Sequence, residues 1–135
     1  MLNDQGPNGG VEPRKQFDLE ERTARFGEMI IAFAKRVPVG PVTAPIISQL
    51  VRAATSVGAN YCEANDAESR KDFRHKMGIC RKESRENKHH LRMVAAAGPG
   101  LKDDARILWQ EAKELNLIFS SIIRKLDNGD TRRER

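Results

Sequence analysis

The sequence predicts an all-α protein, an up-down-up-down four-helix bundle with helices packed at about 20° and their apolar seams facing inward. Three observations carry this. Apolar residues recur at alternating spacings of 4 and 3 through four successive segments, the pattern of helices that each bury one seam. The segments are separated by short breaks rich in proline, glycine or acid, which make turns. Five Phe, one Trp and one Tyr among 135 residues supply few large anchors, so the core has to come from Leu, Ile, Val, Ala and Met, as in other bundles. With 39% hydrophobic and 32% charged residues, the composition is that of one helix-rich soluble domain.

Residues 1–17 lack periodicity and carry turn formers, which marks a flexible arm ahead of a bundle domain at 18–127. Asp18 and Glu21 have the spacing of a capping box, and Leu19, Thr23, Phe26, Ile30, Phe33 and Val37 form the seam of helix 1. The run PVGPVTAP at 38–45 ends it, since three prolines cannot continue a helix. Thr43 is placed to cap helix 2, which runs over 44–67 and buries Ile47, Leu50, Ala54, Val57, Tyr61 and Ala64. Its small residues, Gly58 above all, call for another backbone close by, because glycine costs about 1 kcal/mol relative to alanine in a helix. Ser69 and Asp72 repeat the capping pattern and open helix 3, whose seam is Phe73, Met77, Cys80, Ser84, Asn87, Leu91 and Val94. GPG at 98–100 stops it. Helix 4 then follows Leu101, Ala105, Leu108, Ala112, Leu115, Phe119, Ile122 and Leu126, and 128–135 is a polar, flexible tail. Ile107, Trp109, Leu117, Ile118 and Ile123 fall beside that seam, a surplus of apolar surface that points to self-association.

Charge is concentrated on helix 3. Between Ser69 and Ala97, nine Lys and Arg stand against three acids, a net of +6 in a chain whose total is +5. Arg70, Arg74, Arg81, Arg85, Lys88 and Arg92 keep 4-3 or 7-residue spacing and share a face, with Lys71 and Lys82 on the adjoining row. Such a face suits phosphates, because each one neutralised releases counterions and arginine bonds to them in pairs. The same residues also fit a solvated surface, or a surface paired across subunits with the acids of helices 1 and 4. No aromatic residue for base stacking is near them in the sequence, which favours contacts to the backbone over base recognition.

A tight turn near Glu68 folds helix 3 back along helix 2. Glu63 should therefore meet Lys76, and Arg52 should meet Glu83 or Glu86. These are structural ion pairs that fix register together with Asn60, Ser84 and Asn87, and loss of Glu63 should lower the melting temperature clearly. The chemical alternative, a Glu63 and Glu83 pair serving as acid and base or as metal ligands, lacks the Glu-x-x-His spacing of di-metal bundles. His75, His89 and His90 form no HxxxH or HExxH pattern, and Cys62 and Cys80 no CxxC, so no catalytic residue, metal or cofactor is expected. Both cysteines are expected to be small, buried and reduced. No apolar run reaches the roughly 20 residues of a membrane span and no signal peptide is evident, so a cytoplasmic location is expected.

SVGANYCEA at 56–64, SRKDF at 69–73, HKM at 75–77, RKESRE at 81–86, LRM at 91–93 and LWQEAKELNLIF at 108–119 together resemble the bacterial four-helix-bundle family also known as the 23S ribosomal RNA intervening-sequence proteins. The likeness spans roughly Leu19 to Leu126. It implies a left-handed up-and-down bundle assembled as a homopentamer; the basic face of helix 3 makes nucleic acid, RNA ahead of DNA, the expected partner. Through a more distant likeness to the basic pentameric accessory protein of diversity-generating retroelements, it also implies a possible protein partner such as a reverse transcriptase. Where the family often carries an aromatic residue and a tryptophan, this chain has His89 and His90.

Overall fold

The computed structural model describes residues 18–134, with side chains through Gly129. The expected arm at 1–17 lies outside the described residues. Four α-helices follow one another: α1 (Leu19–Arg36), α2 (Thr43–Asn65), α3 (Arg70–Ala97) and α4 (Lys102–Glu134), with a 3₁₀ turn at Pro99–Leu101 between the last two.

Helix ends follow local chemistry, though not always by the expected device. Ser69 caps α3 by accepting a hydrogen bond from the Asp72 amide at 3.0 Å, which satisfies one of the donors every helix start leaves open. Asp18 precedes α1 without a side-chain cap, so the capping box expected there is not formed. Thr43 is the first residue of α2 and not its cap; its hydroxyl donates back to the Pro38 carbonyl at 2.8 Å and closes the proline-rich loop. The largest departure is at the other end. α4 runs on to Glu134, past Asp127, where the polar sequence suggested an end. Residues from α3 hold the turn from which the added residues continue, since Arg70 Nη2 donates to the Leu126 carbonyl at 3.1 Å and Arg74 pairs with Asp127 through two bonds of 3.0 and 3.1 Å.

Neighbouring helices run antiparallel, as their cross-contacts show. Lys76 meets Glu63 and Arg52 meets Glu86 between α2 and α3, Asn116 meets Arg81 and Asp127 meets Arg74 between α3 and α4, and Arg22 meets Glu111 while Arg36 meets Asp104 across α1 and α4. The core inside this ring is continuous, with Phe26, Ile30, Phe33, Leu50, Val57, Met77, Leu91, Leu115 and Phe119 all fully buried. The α1 seam is buried as expected from Leu19 to Val37. On α2 and α3, Ile47, Tyr61 and Phe73 are only partly buried and pack on the edge of the core. On α4 the core residue after Phe119 is Ile123, not Ile122. An α-helix turns once per 3.6 residues, so a 3.5-residue repeat drifts by about 20° per heptad, and here one extra 4-residue step corrects the drift.

The small residues of α2 have their partner on α1. A methyl group at Gly58 would sit 3.5–3.6 Å from Thr23, and one at Gly27 would sit 3.7–3.8 Å from the backbone of Ala54 and Thr55. The backbones therefore approach closely, yet the gap still accepts a methyl at ordinary contact distance. Gly58→Ala should raise the melting temperature by a few degrees, since it gains about 0.5–1 kcal/mol of helix propensity and meets no clash. Gly58→Val should lower it, because branching presses on the Thr23 carbonyl. Thermal melts followed by circular dichroism would check both.

Candidate functional site

α3 is 28 residues long and buries one seam: Met77, Cys80, Ser84, Asn87, Leu91 and Val94, with Glu83 beside it. A helix of this kind distributes its remaining residues over rows set by the 3.6-residue turn. The cations of α3 consequently separate into three groups, not the single face that spacing suggested.

The row toward α2 is an ion-pair ladder. Lys76 Nζ lies 2.6 Å from Glu63 Oε1, and this hydrogen bond holds the Lys76 ammonium above its ordinary range. Two turns further on, Arg52 forks between Glu86 at 3.1 Å and Glu83 at 3.5 Å. Glu63 and Glu83 thus answer to different cations, about 10 Å apart along the helix, which is no arrangement for a shared proton or metal. Among the described residues, no group of three or more His, Cys, Asp or Glu could hold a metal ion. His90 lies on the same row; burial first, then His89, pushes its pKa down. The two rings meet edge-on with centroids 5.6 Å apart.

The row toward α4 is occupied by that helix. Arg74 is bonded to Asp127 and holds its carboxyl below the usual carboxylate range, while Arg70 reaches the Leu126 carbonyl. The Arg81 carbonyl accepts from Asn116 Nδ2 at 2.9 Å. Lys88 Nζ stands 5.4 Å from the centre of the Trp109 ring, and Lys113 of α4 stands 5.7 Å from it. Sequence inspection missed Trp109 as a neighbour of α3. The turn at 98–100 folds α4 back along α3 and sets residue 88 opposite about residue 110, one position from Trp109, a signal that would have found it.

The outward row carries Lys71, Lys82, Arg85 and Arg92, all exposed. Lys82 Nζ comes within 4.0 Å of Glu83. These four, with the partly exposed arginines beside them, give the molecule one strongly positive ridge.

The two cysteines differ. Cys80 is buried and donates to the Val57 carbonyl at 3.6 Å, and burial pushes its thiol up to about 12. Cys62 is exposed, contrary to the expectation that both would be interior.

A family model for the 23S rRNA-intervening sequence protein matches residues 15–126, most of the chain and all of the bundle core. The chain belongs to that family. Among solved structures, it is similar to a protein of unknown function from the S23 ribosomal protein family of Bacteroides thetaiotaomicron, with 27% identity and a TM-score of 0.68 over 77% of this chain and 96% of that one. No curated protein matches. In this member of the intervening-sequence family the bundle is combined with a cation-rich α3, and no described helix is long and apolar enough to cross a membrane.

The ion pairs of the α2-facing row should differ in worth. The Glu83 side chain is 6% exposed and that of Glu63 is 59% exposed. Arg52→Ala would remove the cation nearest the buried Glu83 carboxylate, whose Oε1 has no hydrogen-bond partner to compensate, and should cost about 1–3 kcal/mol. Glu63→Ala should lower the melting temperature much less, contrary to the weight that the sequence placed on it, because its oxygen is already in water. Paired melts of the two variants would check this order.

Proposed function

We propose that this protein is a non-catalytic oligomeric bundle that binds nucleic acid, RNA ahead of DNA, through phosphates on the outer ridge of α3. The observation that carries this is the net +6 on α3 in a chain of +5, together with the outward placement of Lys71, Lys82, Arg85 and Arg92. Such a concentration of one sign draws in a polyanion and holds it without choosing its sequence. Membership in a family described by an rRNA intervening sequence supports RNA as the polyanion. Arg74, which the sequence placed on this surface, is committed to Asp127 and contributes to the fold.

Assembly multiplies the ridge. On α4, Ile107 is 69% and Leu117 57% exposed, and on α1 Met29 is 40% and Ile31 41% exposed. Met29, Ile107 and Leu108 line a cleft of about 380 Å³ between the two helices. Apolar side chains in such a groove are covered when a second copy packs there, and the family likeness favours five copies. Light scattering at micromolar concentration should return about five times the 15.2 kDa chain mass; a single-chain mass would overturn the assembly.

The same apolar surface supports a second reading, a scaffold that binds another protein such as a reverse transcriptase. Salt dependence separates the two. If each complex neutralises roughly five phosphates, log affinity for a duplex should fall against log salt with a slope of about −4 to −5. Replacing Lys71, Lys82 and Arg85 together with Gln should reduce that slope by about 1 per charge and weaken all sequences alike, without changing the assembled mass. No binding at low salt, or undiminished affinity in the triple variant, would leave the scaffold in front.

A further inference from the structure

We propose that the cleft between the end of α3 and the start of α4 takes one unstacked base of a single-stranded RNA, with Trp109 as its stacking platform. This rests on the phosphate-binding role of α3 and adds to it a site that distinguishes single strands from duplexes.

The cleft has a volume of about 470 Å³, within the usual range of small-molecule sites, about 300–1,000 Å³. Leu91, Ala95 and Ala105 form its apolar floor and Trp109 stands at its side. Arg92, Lys102 and Arg106 sit around it, and no acidic side chain lines it. Of the two acids on the first turn of α4, Asp104 is turned toward α1 and bonded to Arg36 at 2.8 Å, and Asp103 is exposed beside Arg106 without lining the cleft. An occupant must therefore be flat and apolar in one part and anionic in another. A nucleotide within a strand has that character: its base can lie against the indole while the phosphates on either side meet the cations.

Trp109 is partly exposed, and Lys88 and Lys113 place their ammonium groups over its ring, at 5.4 and 5.7 Å. Both are long and flexible. A base stacked on tryptophan gains more than an exposed cation loses on leaving it, and the displaced lysines then pair with the incoming phosphates. Gln110, also lining the cleft, carries a carboxamide with both a donor and an acceptor for a base edge. A base inside a duplex is stacked on both faces and reaches this cleft only by leaving the helix, which costs unpairing and unstacking. Arg92 belongs at once to the outer ridge and to the cleft, so a strand lying along α3 leads into it.

Trp109 is the only tryptophan in the chain, so its emission reports this site directly. Full-length protein is titrated at low salt with a single-stranded oligoadenylate of about 15 nucleotides, near the upper site size of single-strand binders, and with a blunt RNA duplex of equal length. Fluorescence anisotropy of labelled RNA is followed in parallel. The expected result is quenching by the single strand at the midpoint seen by anisotropy, and little quenching by the duplex. Trp109→Ala should weaken single-strand binding about tenfold and leave duplex binding within about twofold, while Trp109→Phe keeps most of the preference. Should the alanine variant fail to fold, the quenching by the native protein decides. RNA binding with unmoved emission, or equal losses for both RNAs in Trp109→Ala, overturns the stacking site and leaves phosphate binding standing. No binding of either RNA overturns both. Emission that shifts on concentrating the protein alone, and that RNA then leaves unchanged, places a second copy in the cleft and also overturns the site.

Discussion

Everything outside the core is arranged by the seam of α3. Once Met77, Cys80, Leu91 and Val94 are buried, the rotation of the helix is fixed, and so is the direction in which each of its nine cations points. Lys76, on the α2 side, finds Glu63, and those on the α4 side find Asp127 and Trp109. Only the row opposite the seam is left to water. A slip of one residue would turn the ridge by about 100° and bury arginines without partners, which the core cannot accommodate. The hydrophobic seam thus determines where the charge goes, even though the charge is the more conspicuous feature of the sequence.

The interior is not wholly apolar. Ser84 satisfies itself by donating to the Cys80 carbonyl at 2.7 Å, and Asn60 likewise bonds within α2, to the Ser56 carbonyl and hydroxyl. Asn87 is fully buried and neither atom of its amide has a protein partner. A buried amide of this kind costs stability and discriminates between alignments, because every alternative register must also find it a place. Glu83 adds to the same effect through a buried carboxylate whose nearest cation is supplied by the neighbouring helix.

Helix number, seams and turns were legible in the sequence because each follows from local periodicity and from proline and glycine, whose effects need no knowledge of the rest of the chain. The α2–α3 ion pairs were legible for a related reason, since a short turn makes register a matter of counting. The extension of α4 was not, because Asn128 and Gly129 disfavour a helix and the contacts that fix the turn before them, from Arg70 to Leu126 and from Arg74 to Asp127, come from more than 50 residues away. The ridge was legible as a charge surplus but not as a set of residues: identical arginines on α3 differ only in what α4 places opposite them. Trp109 illustrates the same limit. It looked like surplus apolar surface on α4, and its relation to Lys88 exists only once two helices are packed.

The four seams between helices also differ in how far along the chain their partners lie. α1–α2, α2–α3 and α3–α4 join consecutive helices, whereas α1 and α4 are joined across 89 residues by Arg22, which bonds Glu111 at 2.8 and 2.9 Å and Glu114 at 2.8 Å. Loop-closure entropy makes that seam the most expensive to form and the last for which local contacts can compensate. Polar pairs at its rim and a cleft beside Met29 and Ile107 replace the close packing found between α1 and α2. In folding terms the bundle is a chain of three hairpins with one long-range clasp, and the clasp, more sparsely packed than the consecutive pairs, is the seam expected to open first under thermal fluctuation.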